Sequence, residues 1–300
     1  MNGPRTLLFD SASLYFRAFF GLPASLTTQS GEPVNAVRGL LDFLARFITG
    51  YRPTQVACCW DDAWRPTWRV ELLPSYKAHR VAFGDVEEVP AELNAQVPWI
   101  REVLDALGLP IVGAADHEAD DVIATLARGA STPVDVVTGD RDLFQLVEPT
   151  RPTRVLYVAR GVAKHERVDD AWLRAKYGID GSGYVDFAVL RGDPSDGLPG
   201  VKGIGEKTAA GLIDRFGDLA GMVAHVDQLS PAVARALSSS VDYLGPAQQV
   251  VTAATDAPVP ADLDLTLPKA PRDPDAFARL AEDLNLGGAA ERILKALALP

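Results

Sequence analysis

Three short apolar runs along the chain each stop on a carboxylate: Arg5-Thr6-Leu7-Leu8-Phe9-Asp10, Gln55-Val56-Ala57-Cys58-Cys59-Trp60-Asp61-Asp62 and Pro133-Val134-Asp135-Val136-Val137-Thr138-Gly139-Asp140. Such runs, apolar at nearly every position, read as strands buried on both faces. Between them, apolar positions at helical spacing predict helices near Asn35–Thr49, Ala91–Leu107 and Glu118–Arg128. Strands alternating with helices predict an α/β layer with a mostly parallel sheet. Ligands of such sheets bind outside the carboxyl ends of the strands. Three strands ending in Asp would therefore bring three carboxylates to one rim.

The stretch Ala63–Pro90 lacks periodicity and is rich in Arg, Trp, Pro and Gly, which predicts a long binding loop or arch. After about residue 180 come Gly-rich turns and short helical patterns at Ala209–Phe216, Ala232–Leu237 and Val241–Thr252, the mark of a small α-helical module. Asp256–Pro274 is rich in Pro and Asp and reads as linker. Asp275–Leu299 reads as an amphipathic helix pair broken at Gly287-Gly288. The expected division is a core over 1–180, with the arch at about 63–90, and a helical domain with C-terminal helices over 181–300.

A length of 300 residues, 47% hydrophobic, suffices for a real core, and no apolar run approaches the 18 to 20 residues of a membrane span. The N-terminus lacks the basic, apolar and small-residue regions of a secretory signal. The adjacent Cys58 and Cys59 cannot form an ordinary structural disulfide. These features predict a cytoplasmic protein with no membrane partner. The 29 Lys and Arg against 40 Asp and Glu give a net charge of -11. Taken alone, that balance argues against nucleic acid, since cations drive phosphate binding. Where the surplus acids lie decides the matter.

They are clustered. Glu118, Asp120 and Asp121 open a predicted helix, Asp140 and Asp142 follow a strand, and Asp193 and Asp196 occupy the turn Arg191–Gly197. Singly, each has an ordinary explanation, as helix-dipole compensation, an N-cap or an Asx-turn. Gathered on one rim with Asp10 and Asp61, they would repel one another and resist ionising. A divalent cation resolves that cost, and an all-oxygen donor set suits Mg²⁺ or Mn²⁺. Two such ions stabilise the attacking and leaving oxygens of an in-line phosphoryl displacement. The pattern therefore points to metal-dependent phosphodiester hydrolysis. The four histidines are scattered without zinc-ligand spacing, and no Gly-x-Ser-x-Gly elbow occurs.

Leu198–Ala209 has P-loop glycine spacing, but Glu206 separates Gly205 from Lys207-Thr208, which removes the Gly-Lys-Thr junction and with it a nucleotide cofactor. What remains is a hairpin, Gly200-Val201-Lys202-Gly203-Ile204-Gly205, entering a helix with Lys207 and Thr208. Its amides and lysines suit a DNA phosphate. In the arch, Arg65, Arg69, Lys77 and Arg80 stand against the single Glu71 and alternate with Trp64, Trp68 and Tyr76, a composition suited to phosphates and stacked bases. A second basic run, from Arg151 to Lys176, reads equally as a solvated face.

Tyr76-Lys77-Ala78-His79-Arg80, Glu118-Ala119-Asp120-Asp121-Val122, Thr138-Gly139-Asp140-Arg141-Asp142-Leu143 and Gly192–Ala209 resemble, in order, the motifs of bacterial 5′-nucleases. This is the flap endonuclease/5′–3′ exonuclease family, also found as the N-terminal domain of DNA polymerase I. The resemblance runs from Asp10 to at least Thr252. It implies a PIN-like (resolvase-like) α/β nuclease core followed by a helix–three-turn–helix module that grips duplex DNA, with K⁺ held in the glycine hairpin at the Val201 and Ile204 backbone. It also implies that Asp10, Asp61, Glu118 and Asp120 ligate a first metal, with Asp121, Asp140, Asp142, Asp193 and Asp196 around a second. By the same resemblance Tyr76 stacks on the nucleotide at the cleavage site, Lys77 and Arg80 clamp the scissile phosphate, and Arg17 is a further basic contact to DNA. One departure is Gly197, where the family commonly has Asn, and the exchange is expected to loosen the turn holding Asp193 and Asp196. Because the chain ends at Pro300, the resemblance implies a stand-alone, monomeric nuclease acting on DNA with 5′ ends or 5′ flaps. A non-catalytic DNA-structure-binding relative and a PIN-type ribonuclease are the alternatives. Setting aside the nine proposed ligands leaves 31 acids against 29 bases, so the surplus charge is assigned almost entirely to one rim.

Overall fold

The computed structural model describes residues 3–84, 86–150 and 152–299; Asp85 of the arch and Arg151 of the second basic run lie outside the described residues. Strand β1 (Thr6–Asp10) passes directly into helix α1 (Ser11–Gly21), since Asp10 Oδ1 accepts a hydrogen bond from the Ser13 amide at 3.1 Å and caps the helix. After α2 (Asn35–Tyr51) and β2 (Gln55–Cys59) the arch contains α3 (Thr67–Leu72), a 3₁₀ turn at Ala78–Arg80 and a hairpin of β3 (Val81–Phe83) and β4 (Val86–Glu87). Then follow α4 (Ala91–Asn94), α5 (Gln96–Leu107), β5 (Ile111–Val112), α6 (Ala119–Gly129), β6 (Val134–Thr138), β7 (Thr153–Tyr157), β8 (Glu166–Val168) and α7 (Asp170–Tyr177).

The main sheet has the order β5-β2-β1-β6-β7-β8, parallel except for β8. The three strands that lead into carboxylates are thus neighbours at its centre. Their residues alternate between two buried faces. Leu7, Phe9, Val56, Cys58 and Val137 meet α2 and α5, while Leu8, Ala57, Cys59, Val134 and Val136 meet α6. Cys58 and Cys59 are free and point to opposite faces, and burial pushes the Cys58 thiol up to about 12.

The arch is more ordered than its sequence suggests. Asp116 Oδ1 accepts from the Thr67 amide at 2.8 Å and starts α3; Arg65 donates to the carbonyls of Tyr76 (2.6 Å) and Pro74 (2.9 Å). These are side-chain braces, which apolar periodicity does not record. The basic and aromatic side chains of the arch are therefore largely consumed internally: Arg65 is a brace, and Trp68 lies against the buried Arg69.

Helices α8 (Tyr184–Arg191), α9 (Glu206–Phe216), α10 (Leu219–Ala224), α11 (Pro231–Ser239) and α12 (Val241–Val251) form the helical module. It shares one apolar cluster with the α6 side of the sheet, where Val201, Ile204, Leu212 and Val250 join Val122 and Ile123. The expected linker 256–274 is pinned. The Leu265 carbonyl accepts from Val56 N at 2.7 Å, and Leu267 N donates to the Thr54 carbonyl at 3.0 Å. Beyond it, α13 (Pro274–Asp283) and α14 (Gly288–Leu297) return to the opposite face, where Phe277, Ile293 and Leu297 pack with Leu40, Leu44 and Leu104. Physically these two helices complete the α/β core and not the helical module. Among the described residues no helix is long and apolar enough to cross a membrane.

Candidate active site

The carboxyl ends of β1, β2 and β6 open on one cleft of about 810 Å³, and Asp10, Asp61, Glu118, Asp120 and Asp140 line it together with Lys77 and Arg80. Asp10 Oδ2 accepts from Thr138 Oγ1 at 2.6 Å, which fixes the first carboxylate against the neighbouring strand. Asp61 Oδ1 accepts from Ala119 N at 2.6 Å, tying the end of β2 to the start of α6. Asp140 Oδ1 receives the Asp142 amide at 2.8 Å, an Asx-turn that aims the two side chains at different groups.

A second, enclosed pocket of about 20 Å³ adjoins the cleft, lined by Asp142, Asp196, Gln145, Tyr76 and Arg69 and shared by Glu118 and Asp120. It has room for one water-sized occupant. Asp142 Oδ1 is buried without a hydrogen-bond partner. A buried acceptor left unpaired is costly and calls for a cation or a donor.

The electrostatics divide the acids into two kinds. Burial, reinforced by Asp140, pushes the Asp10 carboxyl up to about 6, and burial with Glu118 pushes Asp61 up to about 7. Asp120 and Asp142 are raised well above the usual carboxylate range by burial and then by Asp140, and burial raises Asp196 to about 6 despite the cation of Lys77. For these groups burial and like charge outweigh whatever cations lie nearby, Arg80 on Asp196 included. Asp193 and Glu118, by contrast, are paired with cations. Asp193 Oδ2 lies 3.4 Å from Arg141 and 3.3 Å from Arg191, while its Oδ1 accepts from Ser195 N and Oγ. Glu118 Oε1 accepts from Lys77 Nζ, and Oε2 from Arg69 Nη1 and Tyr76 Oη, both at 2.7 Å.

Several expectations need correction. Asp121 is fully buried, and both its oxygens are taken by Arg69 at 2.7 Å, with the Ala254 amide also at 2.7 Å; in this arrangement it is a brace, with no oxygen turned to the cleft. Tyr76 is 5% exposed, with Arg69 and Lys77 near its ring and its hydroxyl on Glu118, so it is not presented for stacking on a base. Arg69 is buried and reaches no substrate surface. Gly197 does not loosen its turn. It adopts φ +73°, and a Cβ there would run into the Ser75 carbonyl, so glycine lets the arch dock, with Lys77 N donating to the Asp196 carbonyl at 3.0 Å. Arg80 strengthens that junction by donating to the Ser195 carbonyl and Asp196 Oδ1. Arg17 donates to the Ala159 carbonyl beside Gly139.

The donor set fits divalent ions, given the uncompensated acids and the orphaned Asp142 Oδ1. Among the described residues no three acidic, His or Cys side chains already converge at coordination distance. Thr138, Gln145, Arg141 and Arg191 also shape the site and escaped sequence reasoning. Thr138 and Arg141 lie within the Thr138–Leu143 motif and Arg191 opens the acidic turn, but the motifs do not show that Thr138 holds Asp10 or that Arg141 pairs with Asp193.

In the helical module, Val201 N donates to the Leu190 carbonyl at 2.9 Å, and Val201 and Ile204 are buried, which turns Lys202, Gly203, Gly205, Lys207 and Thr208 outward. Gly200 packs backbone to backbone on Arg191 and Gly192 at φ +69°. No side chain caps the N-terminus of α9, so its first amides face solvent beside Lys207.

Residues 5–178 match the family model for the 5′–3′ exonuclease N-terminal resolvase-like domain, and residues 179–274 that for the 5′–3′ exonuclease C-terminal SAM fold. A 5′–3′ exonuclease of Streptomyces coelicolor is 55% identical, over 97% of this chain and 99% of its own. DNA polymerase I of Mycobacterium leprae is 38% identical over 98% of this chain, which spans 32% of that polymerase. The bacteriophage T5 flap endonuclease, solved with DNA and metal ions, superposes with a TM-score of 0.64 at 18% identity, over 98% of this chain and 100% of the other. The fold, the paired domains and the relatives agree, and the chain belongs to the 5′–3′ exonuclease family.

Proposed function

We propose that this chain hydrolyses DNA phosphodiesters at 5′ ends or 5′ flaps, leaving a 5′-phosphate and a 3′-hydroxyl, with Mg²⁺ or Mn²⁺ as cofactor. The observation that carries the reading is the set of buried and half-buried acids, Asp10, Asp61, Asp120, Asp142 and Asp196, gathered around one cleft and its adjoining pocket and held above their usual pKa. Asp10, Asp61, Glu118 and Asp120 would hold one divalent ion, and Asp140, Asp142, Asp193 and Asp196 a second. Such ions would activate water and stabilise charge on the transferred phosphoryl group.

The protein's own groups set the rest. Thr138 and Ala119 N fix the orientation of Asp10 and Asp61. Lys77 stands on Glu118 at the cleft, where a scissile phosphate would compete for its ammonium and gain a cation in the transition state. Arg80 holds the arch to the turn carrying Asp193 and Asp196, and Arg17 offers a basic contact at the rim. The exposed amides and lysines of residues 200–208 would take the duplex backbone, with K⁺ at the Val201 and Ile204 carbonyls. The working unit in this reading is a monomer.

A 5′-labelled flap duplex incubated with Mn²⁺ tests the proposal. Short 5′-phosphorylated products are expected, and intact substrate despite gel-shift binding would overturn it. A matched RNA flap cut equally well would favour the ribonuclease reading.

A further inference from the structure

Arg69, at the centre of α3, is 3% exposed. A charge this deep needs full compensation. Its five N–H donors all have acceptors: Nε the Val250 carbonyl (2.9 Å), Nη1 Glu118 Oε2 and Asp121 Oδ2 (both 2.7 Å), Nη2 Asp121 Oδ1 (2.7 Å) and the Thr252 carbonyl (3.5 Å). Those acceptors belong to two separate parts of the molecule, the start of α6 and the end of α12. Glu118 faces the cleft, Asp121 lies in the first turn of α6, and the carbonyls end α12, the last helix of the helical module. Carbonyls at a helix C-terminus lack intrahelical partners and carry the negative end of the dipole, so a guanidinium suits them. Asp121 in turn receives Ala254 N and the Glu118 amide (3.2 Å).

We propose that Arg69 is a positioning residue that sets the Glu118 carboxylate from inside the protein and makes that setting depend on the docking of α12. The proposal rests on the metal-dependent nuclease reading. Arg69 and Lys77 balance Glu118 and Asp121. Lys77 lies on the cleft side and can exchange Glu118 for a substrate phosphate, whereas Arg69 stays buried and keeps Glu118 oriented. Lysine could not replace it, since an ammonium lacks the planar fork that spans two carboxylates and a carbonyl.

The test compares the full chain with Arg69→Lys, Arg69→Gln and Asp121→Asn. Mn²⁺ affinity without substrate is read from the free-Mn²⁺ spin resonance signal, and flap-DNA affinity in EDTA by anisotropy. Groups that orient metal ligands change metal affinity by about 10- to 100-fold. Each variant should therefore weaken Mn²⁺ binding by about 10-fold or more, keep flap affinity within about twofold and regain single-turnover rate as Mn²⁺ is raised. Amide exchange at residues 250–257 should accelerate in the Arg69 variants. A folded Arg69→Lys or Asp121→Asn protein with wild-type Mn²⁺ affinity overturns the proposal. Should Arg69→Gln not fold, Asp121→Asn decides, since it keeps an acceptor for Ala254 N while losing the charge pair. Wild-type protein that binds Mn²⁺ and leaves flap DNA intact overturns the nuclease reading alone.

Discussion

Neutralising Asp61 should stabilise the metal-free protein. Asp61 is raised from 3.8 to about 7 by burial and by Glu118. At about 1.4 kcal/mol per unit, keeping it ionised costs the folded state at most about 4 kcal/mol. The sign follows from linkage. The unfolded chain loses its proton near pH 4 and the folded chain only near pH 7, so stability falls as pH rises between those values and is level above them. Asp61→Asn keeps an Oδ1 acceptor for Ala119 N and removes the charge. Thermal melting in EDTA at pH 8 should therefore place the variant above wild type by roughly 8 °C, at the ~2 °C per kcal/mol of a large domain. By pH 5 the gap should narrow to about 3 °C, because most of the linked free energy is then recovered by protonation. Adding Mn²⁺ at pH 8 should raise the wild-type melting temperature more than the variant's. A variant that melts at or below wild type in EDTA at pH 8, or by the same margin at pH 5, would refute the claim that Asp61 is an uncompensated charge awaiting a cation.

Three other outcomes are expected. Asp140→Ala should lower single-turnover cleavage by about 10³-fold or more, with flap affinity in EDTA changed less than about threefold; full turnover would remove Asp140 from the site. Gly197→Ala, forced into the Ser75 carbonyl at positive φ, should lower stability by about 1–3 kcal/mol in urea melts and expose the arch to protease; unchanged values would mean that the arch does not rest on this turn. Lys202→Ala with Lys207→Ala should weaken duplex binding and reduce the slope of log affinity against log salt by about two, whereas an unchanged slope would place the DNA backbone elsewhere.

The central sheet was legible because strands buried on both faces need unbroken apolar runs, and its three central members carry them. The helices α2, α5 and α6 were legible through their spacing. What escaped has a common physical cause. Helix α1 puts Tyr15 and Phe16 on the wall of the cleft, which blurs its apolar stripe. The arch is held by Asp116, Arg65 and Arg69, whose partners lie on other segments, and no local pattern encodes such bonds. The placement of α13 and α14 on α2 and α5 is a choice among apolar faces that their own periodicity leaves open.

The acids show the same limit more sharply. Sequence grouped nine of them by proximity in motifs, and the structure separates them by what faces each one. Glu118 and Asp121 are three residues apart on one helix, yet Glu118 keeps an edge on the cleft while both Asp121 oxygens close on Arg69. Asp142 and Asp193 belong to the same expected group, yet Asp193 has two arginines and Asp142 Oδ1 has no partner. Charge surplus in the sequence therefore overstates the number of ligands, because it counts braces together with acids left to bind a metal. The acids that burial and like charge hold above their usual pKa are the better guide, since in them the nearby cations do not offset burial. By that criterion Asp10, Asp61, Asp120, Asp142 and Asp196 would form the centre of the proposed metal site. Substitution of any of them by Asn should then relieve the metal-free fold while weakening metal binding, an opposition that removal of Asp121 would not produce.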